Sequence, residues 1–108
     1  MKGRNPTAKE KRHMDKVQRQ GCIVCRRIGY GRRDAEIHHV IGKTKPNAHM
    51  MVLPLCFEHH RMGSDKPPYI SRHPYKKRFI DAYGTEEELL ALVDNYLVSD
   101  DIEDYLPF

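Results

Sequence analysis

The pattern of hydrophobic and polar positions first predicts an amphipathic helix near the start of the chain. Residues 8–20 carry many basic side chains and a thin apolar stripe that includes Met14 and Val17. Thr7 and Glu10 are spaced as a capping box, a signal for a helix start. We therefore expect a helix that packs through a narrow face and leaves its basic side chains in solvent.

Two short runs rich in β-branched residues predict a pair of strands in the middle of the chain. Residues 36–41 end at Gly42, and residues 51–55 contain Pro54, which is tolerated at a sheet edge or strand end. Cys56 follows at once, and residues 57–61 after it can open a short helix. The predicted order is strand, strand, helix.

Two more helices are predicted in the C-terminal third. The first covers residues 71–83 with Ser71 as its N-cap, and the second covers residues 85–98. Apolar residues recur at helical spacing along the second, as expected for a core-facing helix. We expect one domain over residues 1–98 and a loose acidic tail over residues 99–108.

Composition limits how this domain can be stabilised. The chain has 39% hydrophobic residues, no Trp and three Phe, so its apolar core must be modest. The N-terminus lacks the apolar segment of a signal peptide, and no run reaches the length of a membrane span. Together with cysteines that do not suggest disulfides, this predicts a cytoplasmic protein in a reducing compartment, with no membrane partner.

Charge is distributed unevenly along the chain. Residues 1–80 hold all 19 Lys and Arg against six acids, whereas residues 81–108 hold nine acids and no base. A strongly basic body of this size suggests a polyanionic partner, most simply nucleic acid. A solvated basic surface is the alternative explanation.

Ligand-type residues form three clusters: Cys22-x-x-Cys25, His38-His39 and Cys56-x-x-His59-His60. Cys22, Cys25, Cys56 and His59 have the spacing of a structural zinc site with three thiolates and one imidazole. The alternative is that Cys56 is a buried apolar thiol and His59 a surface residue. The predicted strands and helices make the fold class α+β. With zinc bound, the fold is a small zinc-stabilised core with flanking helices.

His38, His39 and His60 are not needed by that zinc site and suggest an open, catalytic metal site beside it. Neighbouring strand residues point to opposite faces, so His38 and His39 should not both bind one ion. One imidazole would hold a divalent metal while the other takes a proton from water. Mg²⁺ or Mn²⁺ is the expected ion, although imidazoles also hold Zn²⁺.

These residues resemble the HNH endonucleases, which are built on a ββα-metal core. The matching runs are Glu36-Ile37-His38-His39-Val40 and Pro54-Leu55-Cys56-x-x-His59-His60, with His59 in place of a Cys. The resemblance implies that His38 and His60 are metal ligands and that His39 is the general base. The central Asn of the family has two candidate positions, Asn47 and His49, of which we favour His49.

A narrower resemblance is to the phage recombination-enhancement nucleases, which cut DNA in dependence on the recombinase RecA. It is carried by residues 2–6, 21–25 and 82–85 in addition to the metal motifs. The resemblance implies a phage or prophage protein that acts in DNA recombination, with a RecA filament as a possible partner. That family has a long basic N-terminal extension, whereas this sequence begins almost directly at the nuclease motifs, so RecA dependence is left open.

Other residues are candidates for contacts around the site. His73 could be a further metal ligand or a phosphate contact, or a solvated histidine at a helix start. The candidate DNA-binding residues are Lys9, Arg12, Lys16, Arg19, Arg32, Arg33, Lys43, Lys45 and Arg61.

The sequence thus predicts a metal-dependent HNH endonuclease that hydrolyses DNA phosphodiester bonds. The competing hypothesis is a non-catalytic zinc module that binds nucleic acid, which would leave His38, His39 and His60 without a role. Sequence preference, nicking against double-strand cleavage and oligomeric state stay open.

Overall fold

The chain folds as an α+β protein around a two-stranded antiparallel sheet. The structure is a computed structural model that describes residues 5–104, with side chains described through residue 99. Its helices and strands, in chain order, are α1 (Ala8–Arg19), α2 (Ile23–Arg27), β1 (Glu36–His39), β2 (Val52–Leu55), α3 (Lys76–Tyr83) and α4 (Glu86–Asp104). A 3₁₀ turn (Ala48–Met50) precedes β2 and a π-helical turn (Glu58–Met62) follows it.

Helix α1 confirms the prediction made from its capping box and apolar stripe. The Glu10 N–H donates to Thr7 Oγ1 (3.2 Å), and the Thr7 N–H donates to Glu10 Oε1 (2.8 Å). Val17 is fully buried and Met14 packs against the core beside it. The helix therefore contacts the rest of the fold through a narrow face, and most of its basic side chains are exposed.

The predicted strand pair is confirmed, with a register that separates the two adjacent histidines. Ile37 lies opposite Pro54 and His38 lies opposite Leu53. His38 is buried while its neighbours Ile37 and His39 are half-buried, because successive side chains point to opposite faces of a strand. Pro54 is accommodated because each strand of a two-stranded sheet has one unpaired edge.

Two predicted helix boundaries in the C-terminal third are wrong. The helix expected from Ser71 begins at Lys76, because Pro74 disfavours helical backbone at the residue before it. The last helix continues to Asp104 rather than ending near Val98. The segment expected to be loose is therefore helical up to Asp104, and residues 105–108 lie outside the described residues.

The core is formed by one cluster of buried side chains that includes all three cysteines. Helix α4 contributes Leu89 and Val93, as its helical spacing predicted, and α3 contributes Phe79 and Tyr83. Within residues 5–104, no helix has both the length and the apolar character needed to cross a bilayer.

Candidate metal sites

The three cysteines and His59 meet in the core of the fold. Cys22 caps α2, and Cys25 lies in that helix. Cys56 follows β2 directly, and His59 lies in the π-helical turn beyond it. His59 Nδ1 lies 3.6 Å from the Sγ of Cys22, 3.5 Å from that of Cys25 and 3.2 Å from that of Cys56. All four side chains are buried.

These distances fit a zinc ion at the centre of the cluster. In a tetrahedral site with ordinary zinc–ligand distances, two sulfur atoms stand about 3.8 Å apart, and a sulfur and an imidazole nitrogen about 3.6 Å. The Cys25 and Cys56 sulfur atoms are 3.8 Å apart. The four residues could therefore hold a structural metal such as zinc, and the alternative that His59 is a surface residue is wrong.

Burial and mutual proximity disfavour the thiolate form at two of the three cysteines. Burial, and then the neighbouring Cys56, raise the pKa of Cys25 to about 11. A hydrogen bond with Cys22, and then burial, raise the pKa of Cys56 to about 12. Three thiolates so close together repel one another in a buried site, and a divalent ion compensates this charge because it binds the deprotonated form.

One hydrogen bond fixes which nitrogen of His59 faces the sulfur atoms. His59 Nε2 lies 2.7 Å from the carbonyl oxygen of Pro68, which can only accept. Nε2 must therefore donate, and a neutral imidazole then presents its lone pair at Nδ1, the atom that faces the cysteines. The loop after the π-helical turn is thus joined to the cysteine cluster.

A second cluster consists of His38, His60 and His73. Their ring centroids are 5.2–5.4 Å apart, and each offers a nitrogen within 4.8 Å of the other two. His38 is buried, His60 half-buried and His73 exposed, so the cluster opens to solvent on one side. The His73 N–H donates to the His60 carbonyl (2.9 Å), which ties the loop bearing His73 to the π-helical turn. Three imidazoles with an open side have the make-up of a catalytic metal site.

Glu86, in the first turn of α4, contacts the buried side of this cluster through a hydrogen bond with His38. His38 Nε2 donates to Glu86 Oε2 (2.8 Å), and Arg72 donates to Glu86 Oε1 (3.3 Å). Burial raises the pKa of Glu86, but the hydrogen bonds from His38 and Arg72 outweigh it and lower that pKa to about 2. Neither Glu86 nor Arg72 was predicted as a site residue, since nothing local distinguishes Glu86 from the acids beside it.

Glu36 plays a similar part at the outer edge of the cluster. His60 Nδ1 lies 2.8 Å from Glu36 Oε1, and Arg61 binds both oxygens of that carboxylate at 3.0 and 2.8 Å. Hydrogen bonds from Arg61, and then from His60, lower the pKa of Glu36 to about 2. The guanidinium of Arg61, predicted to contact DNA, is therefore engaged within the site.

His39 and His49 form a separate pair on the other side of β1. His39 Nε2 and His49 Nδ1 are 3.0 Å apart, and their ring planes are 83° from parallel. His49 is buried in the 3₁₀ turn. Burial, and then the charge of Lys43, lower the pKa of His39 below its ordinary value near 6.5. The lowered pKa favours the neutral imidazole of His39, which is the form that can accept a proton.

The predicted DNA-binding residues have different surroundings. Arg32 donates to the carbonyl of Arg19 at the end of α1 (3.2 and 3.1 Å), and Arg33 donates to Glu58 (3.0 Å) and Tyr69 (2.9 Å). Both guanidinium groups thus make contacts within the fold. The remaining cationic candidates are exposed side chains on α1 or in the loop after β1: Lys9, Arg12, Lys16, Arg19, Lys43 and Lys45.

Comparison with known protein families gives a match over residues 6–98, which contain both candidate metal clusters, the His39–His49 pair and the basic helix. The matching family model is described as recombination enhancement, RecA-dependent nuclease. This match agrees with the resemblance seen in the sequence, and it supports an enzyme that acts on nucleic acid over a non-catalytic zinc module. The chain belongs to the recombination enhancement, RecA-dependent nuclease family.

Proposed function

We propose that this nuclease is a metal-dependent DNA endonuclease of the HNH type, with a structural zinc ion at the cysteine cluster and a catalytic divalent ion at the histidine cluster. The observation that carries the proposal is the arrangement around β1. His38 faces His60 and His73 on one side of the strand, while the next residue, His39, pairs with His49 on the other. The two adjacent residues thus have different partners, which suits a metal ligand at His38 and a base at His39.

The chemistry follows from the state of each imidazole. A divalent ion held by His38, His60 and His73 would stabilise the negative charge that develops on the phosphate and on the leaving 3′-oxygen. His39, neutral because its pKa is lowered, takes a proton from the attacking water. His49 fixes the ring of His39, and the tautomer in which His39 Nε2 donates to His49 leaves Nδ1 of His39 as the acceptor.

The substrate contacts follow from where the exposed basic residues lie. Helix α1 packs against both strands and the 3₁₀ turn, and His13 Nε2 on α1 lies 3.2 Å from the carbonyl oxygen of Met50 in that turn. The exposed Lys9 and Arg12 are therefore carried on an element that touches the turn holding His49. A DNA backbone bound along α1 would pass close to the His39–His49 pair.

The test is cleavage of supercoiled and single-stranded DNA by the zinc-loaded protein, without added ion and with Mg²⁺ or Mn²⁺, in the presence and absence of RecA filaments. We expect cleavage only with the divalent ion. His39→Ala should cut at least about 100-fold more slowly while still binding DNA, because general-base catalysis contributes a factor of this order.

His13→Ala is the matched control, since it also removes an imidazole but lies on α1. Because His13 lies on the proposed DNA-binding helix and contacts the turn that holds His49, the rate of His13→Ala is measured at saturating DNA, where it should stay far above that of His39→Ala. Equal rates for His39→Ala and His13→Ala would contradict the assigned base. Cleavage that persists in a strong chelator, or a failure to cleave with any ion and with RecA filaments present, would contradict the proposed metal-dependent reaction.

A further inference from the structure

His38 is hydrogen-bonded to a residue that lies 48 positions further along the chain. A histidine can bind an ion through either ring nitrogen, and the hydrogen bond made by the other nitrogen decides which one is available. His38 makes that bond through Nε2 to Glu86. The lone pair of its neutral ring is therefore at Nδ1, the nitrogen not engaged with Glu86.

We propose that Glu86 is a positioning residue for the catalytic ion: it holds His38 in the Nε2–H tautomer, so that Nδ1 is the ligand atom. This inference rests on the proposed catalytic metal site. Glu86 does not touch the ion or the DNA in this scheme. It acts through His38, and Arg72 in turn holds the second carboxylate oxygen of Glu86.

The surroundings leave His38 and Glu86 little freedom. The side chains are only 4% and 8% exposed, and water cannot readily replace their hydrogen bond. The His38 ring packs edge-on against His60 on one side and His73 on the other, with centroid distances of 5.3 and 5.2 Å. A turned ring would lose the bond to Glu86 and leave a buried carboxylate short of one donor, which is costly.

The same arrangement recurs at two other histidines in this chain. His60 Nδ1 is held by Glu36, which leaves Nε2 for an ion, and His59 Nε2 is held by the carbonyl of Pro68, which leaves Nδ1 for the cysteine cluster. In each case an oxygen acceptor binds one ring nitrogen of a histidine that belongs to a candidate metal cluster. Glu86 supplies this acceptor for His38 from a helix whose Leu89 and Val93 pack in the core.

Glu86 also differs from the two acids that follow it in α4. Glu87 is exposed, and Glu88 is exposed and interacts with Thr85 at the start of the helix. Glu86 is buried and faces the histidine cluster. The three acids look alike in sequence, so Glu87 provides a control with the same chemistry on the same helix turn.

The experiment compares Glu86→Gln with Glu87→Gln in zinc-loaded protein. Mn²⁺ is titrated by electron paramagnetic resonance, which counts free ion and needs no activity. Loss of a carboxylate behind a metal-binding histidine typically weakens metal affinity roughly 10- to 100-fold. We expect a weakening of this size for Glu86→Gln and unchanged affinity for Glu87→Gln, with equal zinc content and circular dichroism.

Nuclear magnetic resonance of the ¹⁵N-labelled imidazoles gives a second readout that needs no variant. In the zinc-loaded protein with the diamagnetic ion Mg²⁺ bound at the histidine cluster, we expect His38 to carry its proton at Nε2 and its lone pair at Nδ1. The opposite tautomer would overturn the inference, even if Glu86→Gln failed to fold.

The outcomes separate this inference from the proposed function. If the unmodified protein binds no Mn²⁺ at the histidine cluster, the catalytic metal site itself is wrong. If it binds Mn²⁺ and Glu86→Gln binds it equally well, the metal site stands and the role of Glu86 is wrong. Cleavage by Glu86→Gln that recovers at high Mn²⁺ would support a positioning role, because the reacting groups are then all still present.

Discussion

At the scale of single residues, the protonation state of His39 sets the pH range in which the proposed reaction can run. Burial and the charge of Lys43 both disfavour the imidazolium, so the pKa of His39 lies below its ordinary value near 6.5. A general base works only when deprotonated. Cleavage should therefore increase as pH rises through this lowered pKa and level off at a lower pH than for an imidazole with the ordinary value.

Removal of Lys43 tests this dependence directly. Lys43→Met takes away a positive charge that disfavours protonation of His39, so the pKa of His39 should rise and the acidic limb of the pH–rate profile should move to higher pH. The measurement is the cleavage rate between pH 5 and 8 at saturating divalent ion, repeated at a second ion concentration to exclude competition between protons and metal.

Lys45→Met is the matched control for Lys43→Met. It removes the same charge from the same exposed loop, so each variant has one cation fewer to offer a phosphate. The acidic limb of the pH–rate profile should move less for Lys45→Met than for Lys43→Met. Equal shifts would mean that the general decrease in charge, and not the neighbourhood of His39, controls the profile.

At the scale of elements, helix α1 combines a narrow packing face with an exposed basic face. Lys9 and Arg12 are one turn apart and lie on the same side of the helix. If this side binds the DNA backbone, each neutralised phosphate releases counterions, so affinity must depend on salt concentration. We expect Lys9→Gln/Arg12→Gln to weaken DNA binding. The slope of log affinity against log salt concentration should become shallower by about 0.9 for each duplex phosphate that the variant no longer neutralises.

Lys77→Gln/Arg78→Gln serves as the control for the double variant on α1. Both residues are exposed cations on α3, so net charge falls by the same amount. Fluorescence anisotropy with a labelled duplex, at salt concentrations from about 50 to 200 mM, measures both affinity and slope. The assignment of α1 as the DNA-binding helix fails if the two double variants have the same effect.

Local sequence signals predicted the elements well where a signal is contained within a few residues. The capping box of Thr7 and Glu10 located α1, and the β-branched runs located both strands. The helix expected to start at Ser71 starts at Lys76 instead. Pro74 disfavours helical backbone at the residue before it, and this effect outweighs the N-cap preference of serine. The end of α4 was misplaced because consecutive acids suggest a tail, although the helix continues through them.

At the scale of the whole molecule, contacts between distant residues explain what the sequence could not predict. The spacing of Cys22, Cys25, Cys56 and His59 indicated one shared ion, because short ligand pairs have few other uses. The contact of Glu86 with His38 joins residues 48 apart, and no local pattern signals it. Burial of Glu86 depends on how α4 packs against the sheet, which is a property of the complete fold.

The two candidate metal sites share one stretch of chain, which makes the histidine cluster dependent on the cysteine cluster. His59 and His60 are adjacent in the π-helical turn. Their carbonyl groups accept hydrogen bonds from the N–H groups of Arg72 (2.8 Å) and His73 (2.9 Å). If the cysteine cluster holds zinc as proposed, loss of that ion would release the turn and, with it, the positions of His60 and His73.

Removal of zinc from the cysteine cluster should therefore unfold the protein and abolish binding of Mn²⁺ at the histidine cluster. Structural zinc contributes about 10–16 kcal/mol to the folding of small zinc domains, which matches or exceeds the total stability of most small proteins. We expect one tightly held zinc per chain, and we expect Cys25→Ser to lose that zinc, cooperative thermal unfolding and Mn²⁺ binding together. His38→Ala should keep zinc and cooperative unfolding but lose Mn²⁺ binding. Ion binding at the histidine cluster is expected to require an intact cysteine cluster, but not the reverse. A Cys25→Ser protein that unfolds cooperatively and binds Mn²⁺ normally would contradict this requirement.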